Sequence, residues 1–253
     1  MSRLHGTKDF WLGALRADGP AFRAAVAEAP PDAPVPSCPE WTTTDLVHHL
    51  GSRYRWVRGV VTGGGVEAPS QPPVEDGLPS GTAGLEWWQH EYDQLLTAFD
   101  ALDPETPAWN WAPQPKKVGF WPRRMAHETT VHRWDAQLAI ASAEPIEAKL
   151  AADGVSEVLD TWLPAGRRRS PEPRYGVVQL VAVDAGQDWY LRLRGTGVAL
   201  LDTDTILDSD DHHARAHVTG NASDLLLALW GRINFDVLEV SGDVTLLQGL
   251  RAG

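Results

Sequence analysis

Apolar residues recur every three to four positions along the N-terminal half of the chain, a spacing typical of amphipathic α-helices. The Gly19-Pro20 pair falls inside the first such stretch and can bend or restart that helix. Two connections, 62–82 and 103–120, are rich in Gly, Pro, Ser or Trp and are predicted to be loops. The sequence therefore predicts a four-helix bundle with helices over about 7–29, 43–61, 83–102 and 122–142.

The pattern changes near residue 145, where Ala143-Glu144-Pro145 ends the fourth helix. A further helix is expected over 147–163, and short runs of alternating or β-branched residues then predict strands. These strands fall at 175–183, 189–194, 197–201, 214–219 and 238–241, with helices at 222–230 and 243–250. We therefore expect two domains, a helical bundle over 1–144 and a smaller α+β domain with an antiparallel sheet over 145–253.

Composition narrows the classes of function. The chain has 253 residues, is 43% hydrophobic and carries a net charge of −12, which disfavours binding to nucleic acids or anionic membranes. Cys38 is the single cysteine, so an internal disulfide is excluded, as is usual in a reducing cytosol. Neither a signal peptide nor an apolar run of about 20 residues is present, so we expect a cytoplasmic protein without a membrane span.

The fourth predicted helix carries Glu128 and His132, which lie four residues apart and therefore on the same side of the helix. Both residue types bind catalytic divalent metals. His127 precedes Glu128 and resembles the start of a zinc-protease motif, but Val131 stands where that motif needs its second His. His127 and His132 point about 140° apart on a helix, which excludes the protease interpretation.

A catalytic zinc site usually has three protein ligands and one open position. His49 lies on the apolar stripe of the second predicted helix, whereas His48 lies about 100° away from it. Facing helices of a bundle can bring His49 to Glu128 and His132, which predicts a site with two imidazoles and one carboxylate. Asp45 and Asp135 are spaced to orient the two rings. Spacing alone also allows a weakly paired surface couple on the fourth helix and a hydrogen-bonded core His49.

Four motifs occur along the chain in a consistent order. They are residues 38–51 (CPEWTTTDLVHHLG), 125–136 (MAHETTVHRWDA), 152–159 (ADGVSEVL) and 224–232 (DLLLALWGR). Together they resemble the mycothiol-dependent maleylpyruvate isomerase family. The resemblance implies a DinB-like metal-binding bundle followed by a C-terminal domain similar to sterol carrier protein 2.

The resemblance also implies a function and a set of site residues. His49, Glu128 and His132 match the family's zinc ligands, and Arg232 matches an arginine of the C-terminal domain that reaches the active site. The expected co-substrate is mycothiol, a small actinobacterial thiol, whose thiolate adds to an electrophilic small molecule. We therefore expect a zinc-dependent isomerase or thiol S-transferase, as a monomer or homodimer, although another divalent metal can take the place of zinc.

Three alternatives stay open at this point. Cys38 precedes a helix whose dipole can activate a thiol, although a cysteine there is more often a packing residue. The protein can be a binding or sensor protein that keeps the metal site without catalysis, because a fold does not determine an activity. A zinc hydrolase is the third alternative, but no separate general base stands out. Trp109 and Trp111 are candidate pocket walls, and the sequence does not name the substrate.

Overall fold

The computed structural model describes residues 6–30, 32–69, 77–167, 169, 172–201 and 214–252. The chain divides into two compact units, Met1–Glu144 and Pro145–Gly253. The first unit is helical and the second carries a mostly antiparallel sheet, which confirms the predicted fold class. Among the described residues, no helix is long and apolar enough to cross a membrane.

Four long helices build the first unit: α1 (Lys8–Glu28), α2 (Thr43–Gly63), α3 (Gly81–Ala101) and α4 (Phe120–Ala139). Their bounds follow the predicted apolar periodicity to within a few residues. Pro20 lies inside α1 without ending it, and Leu15 and Phe22 on either side are fully buried. Packing of the apolar face thus keeps α1 helical through a residue that disfavours helix interiors. The predicted loop 62–82 lies partly outside the described residues.

Local signals fix how α2 begins and how closely it approaches α3. Thr42 and Asp45 form the predicted capping box, in which the side chain of each accepts a hydrogen bond from the backbone N–H of the other. Gly51 faces the indole of Trp87, and a Cβ at this position would lie 2.3 Å from that ring. The α2–α3 pair therefore packs closely only because residue 51 lacks a side chain.

The second unit begins with α5 (Ala148–Glu157), which continues as a π-helical turn, Val158–Trp162. The elements that follow are β1 (Arg174–Ala182), β2 (Gln187–Gly195), β3 (Gly197–Leu201), β4 (Arg215–Gly220), α6 (Ala222–Leu229) and β5 (Glu239–Gly242). The five strands form one sheet in the order β3-β2-β1-β4-β5.

The predicted hairpin joins β1 to β2, and the expected antiparallel pairing holds for three of the four strand pairs. The exception is β1 with β4, which run parallel and place Val177 opposite Arg215. The last predicted helix is present as a 3₁₀ segment, Val244–Leu250. The parallel pair was not predicted because periodicity reports which face of a strand is buried, and not which strand is its partner.

Candidate metal centre

The three predicted metal ligands lie together in the first unit. His49 extends from α2, and Glu128 and His132 extend from one side of α4, with a ligand atom of each within 4.8 Å of the others. His49 Nε2 lies 3.0 Å from Glu128 Oε1, and His132 Nε2 lies 3.9 Å from the same oxygen. A tetrahedral zinc with bonds of about 2.0–2.1 Å separates its ligand atoms by about 3.3 Å, so these side chains fit such an ion.

Core packing holds α2 and α4 together around this cluster. Leu46 and Leu50, which flank His49 on the apolar stripe, are fully buried. One turn further along α2, the hydroxyl of Tyr54 shares a 2.6 Å hydrogen bond with Thr129, the residue next to Glu128. The predicted apolar stripe of α2 therefore brings His49 to the polar side of α4. His48 instead bonds the carbonyl of Pro79 at 2.8 Å, away from the cluster.

Asp135 orients the ring of His132. It is fully buried, and its Oδ2 accepts from His132 Nδ1 at 2.9 Å. This hydrogen bond places a ring proton on Nδ1, so Nε2 is the ring nitrogen that faces Glu128. Ser37 donates to the other carboxylate oxygen of Asp135 at 2.6 Å.

The expectation for Asp45 is wrong. Its carboxylate accepts from the backbone and hydroxyl of Thr42, and among the described residues no hydrogen bond joins it to His49.

Charges around Glu128 keep it ionised. Burial raises the pKa of Glu128, but the Arg124 guanidinium and the His49 hydrogen bond outweigh burial and hold that pKa well below its usual range. Arg124 donates to Glu128 Oε2 at 2.7 Å. Burial lowers the pKa of His49 despite its hydrogen bond to Glu128. A carboxylate and a neutral imidazole are the protonation states that bind metals.

Aromatic rings enclose one side of the cluster. The Trp41 ring lies 4.9 Å from the ring of His49 and stacks at 6.0 Å on that of His132. Trp41 belongs to the loop before α2 and has no periodic signal, which is why the sequence did not single it out. Trp109 packs on Trp56 and Trp111 on Phe120, all against the hydrophobic core, so their role as pocket walls stays a prediction.

Cys38 lies beside the centre but belongs to a hydrogen-bonded cluster. Cys38, His132 and Asp135 form a second group with metal-ligand spacing. Both oxygens of Asp135 already accept hydrogen bonds, from Ser37 on one side and from His132 and Cys38 on the other. The Cys38 sulfur lies 3.5 Å from the Asp135 carboxylate, whose negative charge opposes a thiolate at this position.

Arg232, the arginine predicted to reach the active site, lies in the second unit after α6. Its guanidinium donates to the carbonyl of Trp230 at 3.1 Å, and its role in the site stays a prediction. His127, excluded as a ligand from its helical position, is fully buried and lies outside both metal-like groups. Arg53 and Arg124 are the charged neighbours that sequence reasoning missed. Each lies one turn from a predicted ligand, and that spacing is the signal that could have revealed them.

Two family models match the sequence. The mycothiol maleylpyruvate isomerase N-terminal domain matches residues 12–137, and the MDMPI C-terminal domain matches residues 149–249. No curated protein matches the chain.

Two crystal structures of the mycothiol-dependent maleylpyruvate isomerase resemble the fold. A histidine-to-alanine mutant gives a TM-score of 0.64 at 11% identity, and the other structure gives 0.63 at 13%. Each alignment covers 94% of this chain and 95% of the other. At this identity the structural likeness concerns the fold alone.

Proposed function

Because the chain belongs to the mycothiol maleylpyruvate isomerase family, we propose that it is a metal-dependent enzyme that uses mycothiol to isomerise an electrophilic small molecule. The observation that carries the proposal is the convergence of His49, Glu128 and His132, with ligand atoms within 4.8 Å of one another. The solved relatives are named for mycothiol dependence and maleylpyruvate isomerisation. For this chain we propose a substrate of the same class, an activated cis-alkene that carries carboxylates.

His49, Glu128 and His132 would hold the metal, which we propose to be zinc. A divalent metal supplies a Lewis acid that lowers the pKa of a thiol, and the thiolate is the nucleophilic form. Arg124 holds one oxygen of Glu128 in place, and Asp135 fixes the ring proton of His132 on Nδ1. Trp41 covers both imidazole rings and limits the access of water on that side.

The isomerisation needs only an external thiolate as nucleophile. Its sulfur adds to one alkene carbon, and the electron pair of the double bond moves into the conjugated carbonyl. Rotation about the resulting single bond follows, and the C–S bond then breaks to restore the alkene in the trans form and release the thiolate. Arg232 is our candidate for a bidentate contact with a substrate carboxylate. If the enolate of the adduct instead takes up a proton from water and the conjugate leaves before elimination, the same site acts as an S-transferase.

Metal content and turnover test the proposal together. Purified protein should contain zinc, isomerise maleylpyruvate only with mycothiol present, and lose turnover on chelation. His49→Ala and His132→Ala should lose the metal, because two protein ligands hold zinc much less tightly than three. Stoichiometric zinc in either mutant would contradict the ligand assignment.

The products distinguish the related functions. A released conjugate identifies an S-transferase, and binding of thiol and electrophile without turnover identifies a sensor or binding protein. The DinB-like and carrier-like descriptions of the domains, the cytoplasmic location and the monomeric or dimeric state stay predictions.

A further inference from the structure

Arg53 lies next to the metal centre without taking part in its hydrogen bonds. It follows His49 by one turn of α2, so both side chains leave the same side of the helix. Its Nε lies 4.0 Å from Glu128 Oε1, and its side chain is 39% exposed. The guanidinium carbon lies 5.8 Å from the centre of the Trp56 ring, a distance at which a cation–π contact holds the group in place.

Glu128 does not need Arg53 as a partner. Arg124 already donates to Oε2 at 2.7 Å, and His49 lies 3.0 Å from Oε1. A separation of 4.0 Å is too long for a hydrogen bond. Among the described residues, Arg53 therefore makes no hydrogen bond, although a guanidinium has five N–H donors.

The neighbouring arginines on α2 behave differently. Arg55 donates to the buried carboxylate of Glu91 through two nitrogens, at 3.0 and 2.9 Å, and Arg58 lies 3.3 Å from the same carboxylate. These two cations tie α2 to α3. The ionic neighbour of Arg53 is Glu128, which lies beyond hydrogen-bond distance. The Arg53 side chain is also partly exposed to solvent.

We propose that Arg53 binds a carboxylate of the substrate, an inference that rests on the proposed function. The charges of the centre agree with this. Arg124 and a divalent metal neutralise the negative charges of the Glu128 and Asp135 carboxylates. Arg53 adds a further positive charge, and its N–H groups are available for a bidentate contact with a carboxylate. The site therefore selects an electrophile that presents a carboxylate beside its reactive alkene, and it discriminates against the corresponding ester.

Equilibrium binding to the zinc-loaded protein tests this without turnover. The probes are maleate, which carries two carboxylates on a cis-alkene, and its uncharged dimethyl ester. Arg53→Ala should weaken maleate binding about 10- to 100-fold, the range expected for charged hydrogen bonds, and leave ester binding unchanged. Arg53→Lys should recover only part of the loss, because an ammonium lacks the planar fork. Arg16→Ala, which removes a solvent-exposed charge paired with Asp100, should match the unmodified protein.

Three binding results overturn the inference. They are unchanged maleate affinity in Arg53→Ala, an equal loss for both probes, and an unmodified protein that binds maleate no better than the ester. A fall in zinc content of Arg53→Ala would also overturn it, since Arg53 would then support Glu128. Failure of the proposed function gives a different result. In that case maleate binding still depends on Arg53, but the protein does not isomerise maleylpyruvate in the presence of mycothiol.

Discussion

Replacing Asp135 by Asn should weaken metal binding without unfolding the protein. This fully buried carboxylate accepts from His132 Nδ1 at 2.9 Å, from Ser37 Oγ at 2.6 Å and from Cys38 Sγ at 3.5 Å. Asn has nearly the same shape, and its amide oxygen can still accept from the imidazole. Its NH₂ group then faces Ser37, whose hydroxyl can rotate to accept. The packing is therefore kept, and the negative charge is lost.

The size of the effect follows from that loss of charge. Charge-assisted hydrogen bonds are about twice as strong as neutral ones, so the imidazole of His132 becomes a weaker donor to residue 135 and a less basic ligand. Changes to residues that orient metal-binding histidines typically reduce metal affinity about 10- to 100-fold. We expect a reduction in this range for Asp135→Asn, equivalent to about 1.4–2.8 kcal/mol. Ser37→Ala keeps the charge and should weaken zinc binding less than tenfold, because only a partner of Asp135 is removed.

Competition with a chromophoric chelator measures the zinc affinities, and thermal denaturation of the metal-free proteins checks the fold. If Asp135→Asn binds zinc within about twofold of the unmodified protein and melts at the same temperature, the orienting role of Asp135 is wrong. A larger loss in Ser37→Ala than in Asp135→Asn would also contradict the reasoning, since the serine acts only through the carboxylate.

Three further predictions concern metal, packing and the cysteine. A strong chelator should abolish isomerisation and added zinc should restore it, whereas activity that survives in metal-free protein would refute metal dependence. Gly51→Ala should lower the free energy of unfolding by about 1–3 kcal/mol in denaturant titrations, because the new methyl meets Trp87 at 2.3 Å. Gly59→Ala on the same helix, with nothing within 4 Å, should instead raise it by about 0.4–1 kcal/mol. Cys38→Ser should keep zinc and turnover because its hydroxyl can still donate to Asp135, and complete loss of turnover in a folded variant would make Cys38 the nucleophile.

Helical periodicity was sufficient for most of the first unit. The apolar stripe of α2 predicted which side faces the core, and the Thr42–Asp45 capping box predicted where the helix begins. Strand pairing in the second unit was harder to predict from the sequence, because the parallel β1–β4 pair joins segments that are separated by two other strands along the chain. Nothing in the local sequence of β4 distinguishes a parallel from an antiparallel partner, since both leave alternate residues buried.

The candidate site was predictable where its residues share a helix face. Glu128 and His132 needed only their four-residue spacing, and His49 needed its place beside Leu50 on the buried stripe. Trp41 was not predictable, because a loop residue reaches the rings through tertiary folding rather than through a helical period. For Asp45 the helical spacing was misleading. It predicted a contact with His49, but the Asp45 carboxylate accepts hydrogen bonds from Thr42 and caps the start of α2.

The burial of α4 explains why a metal centre can form there. Most of its 20 residues are buried, and many of them are polar, which is destabilising unless each polar group finds a partner. Thr129 and Thr130 are satisfied by Tyr54 and by the carboxylate of Asp18. Glu128 is ionised, and burial lowers the pKa of His49, which favours its neutral form. A cation at this position therefore gains three ligands, His49, Glu128 and His132, that packing already holds together. Metal binding should therefore stabilise the folded state by an amount set by the metal concentration relative to its dissociation constant.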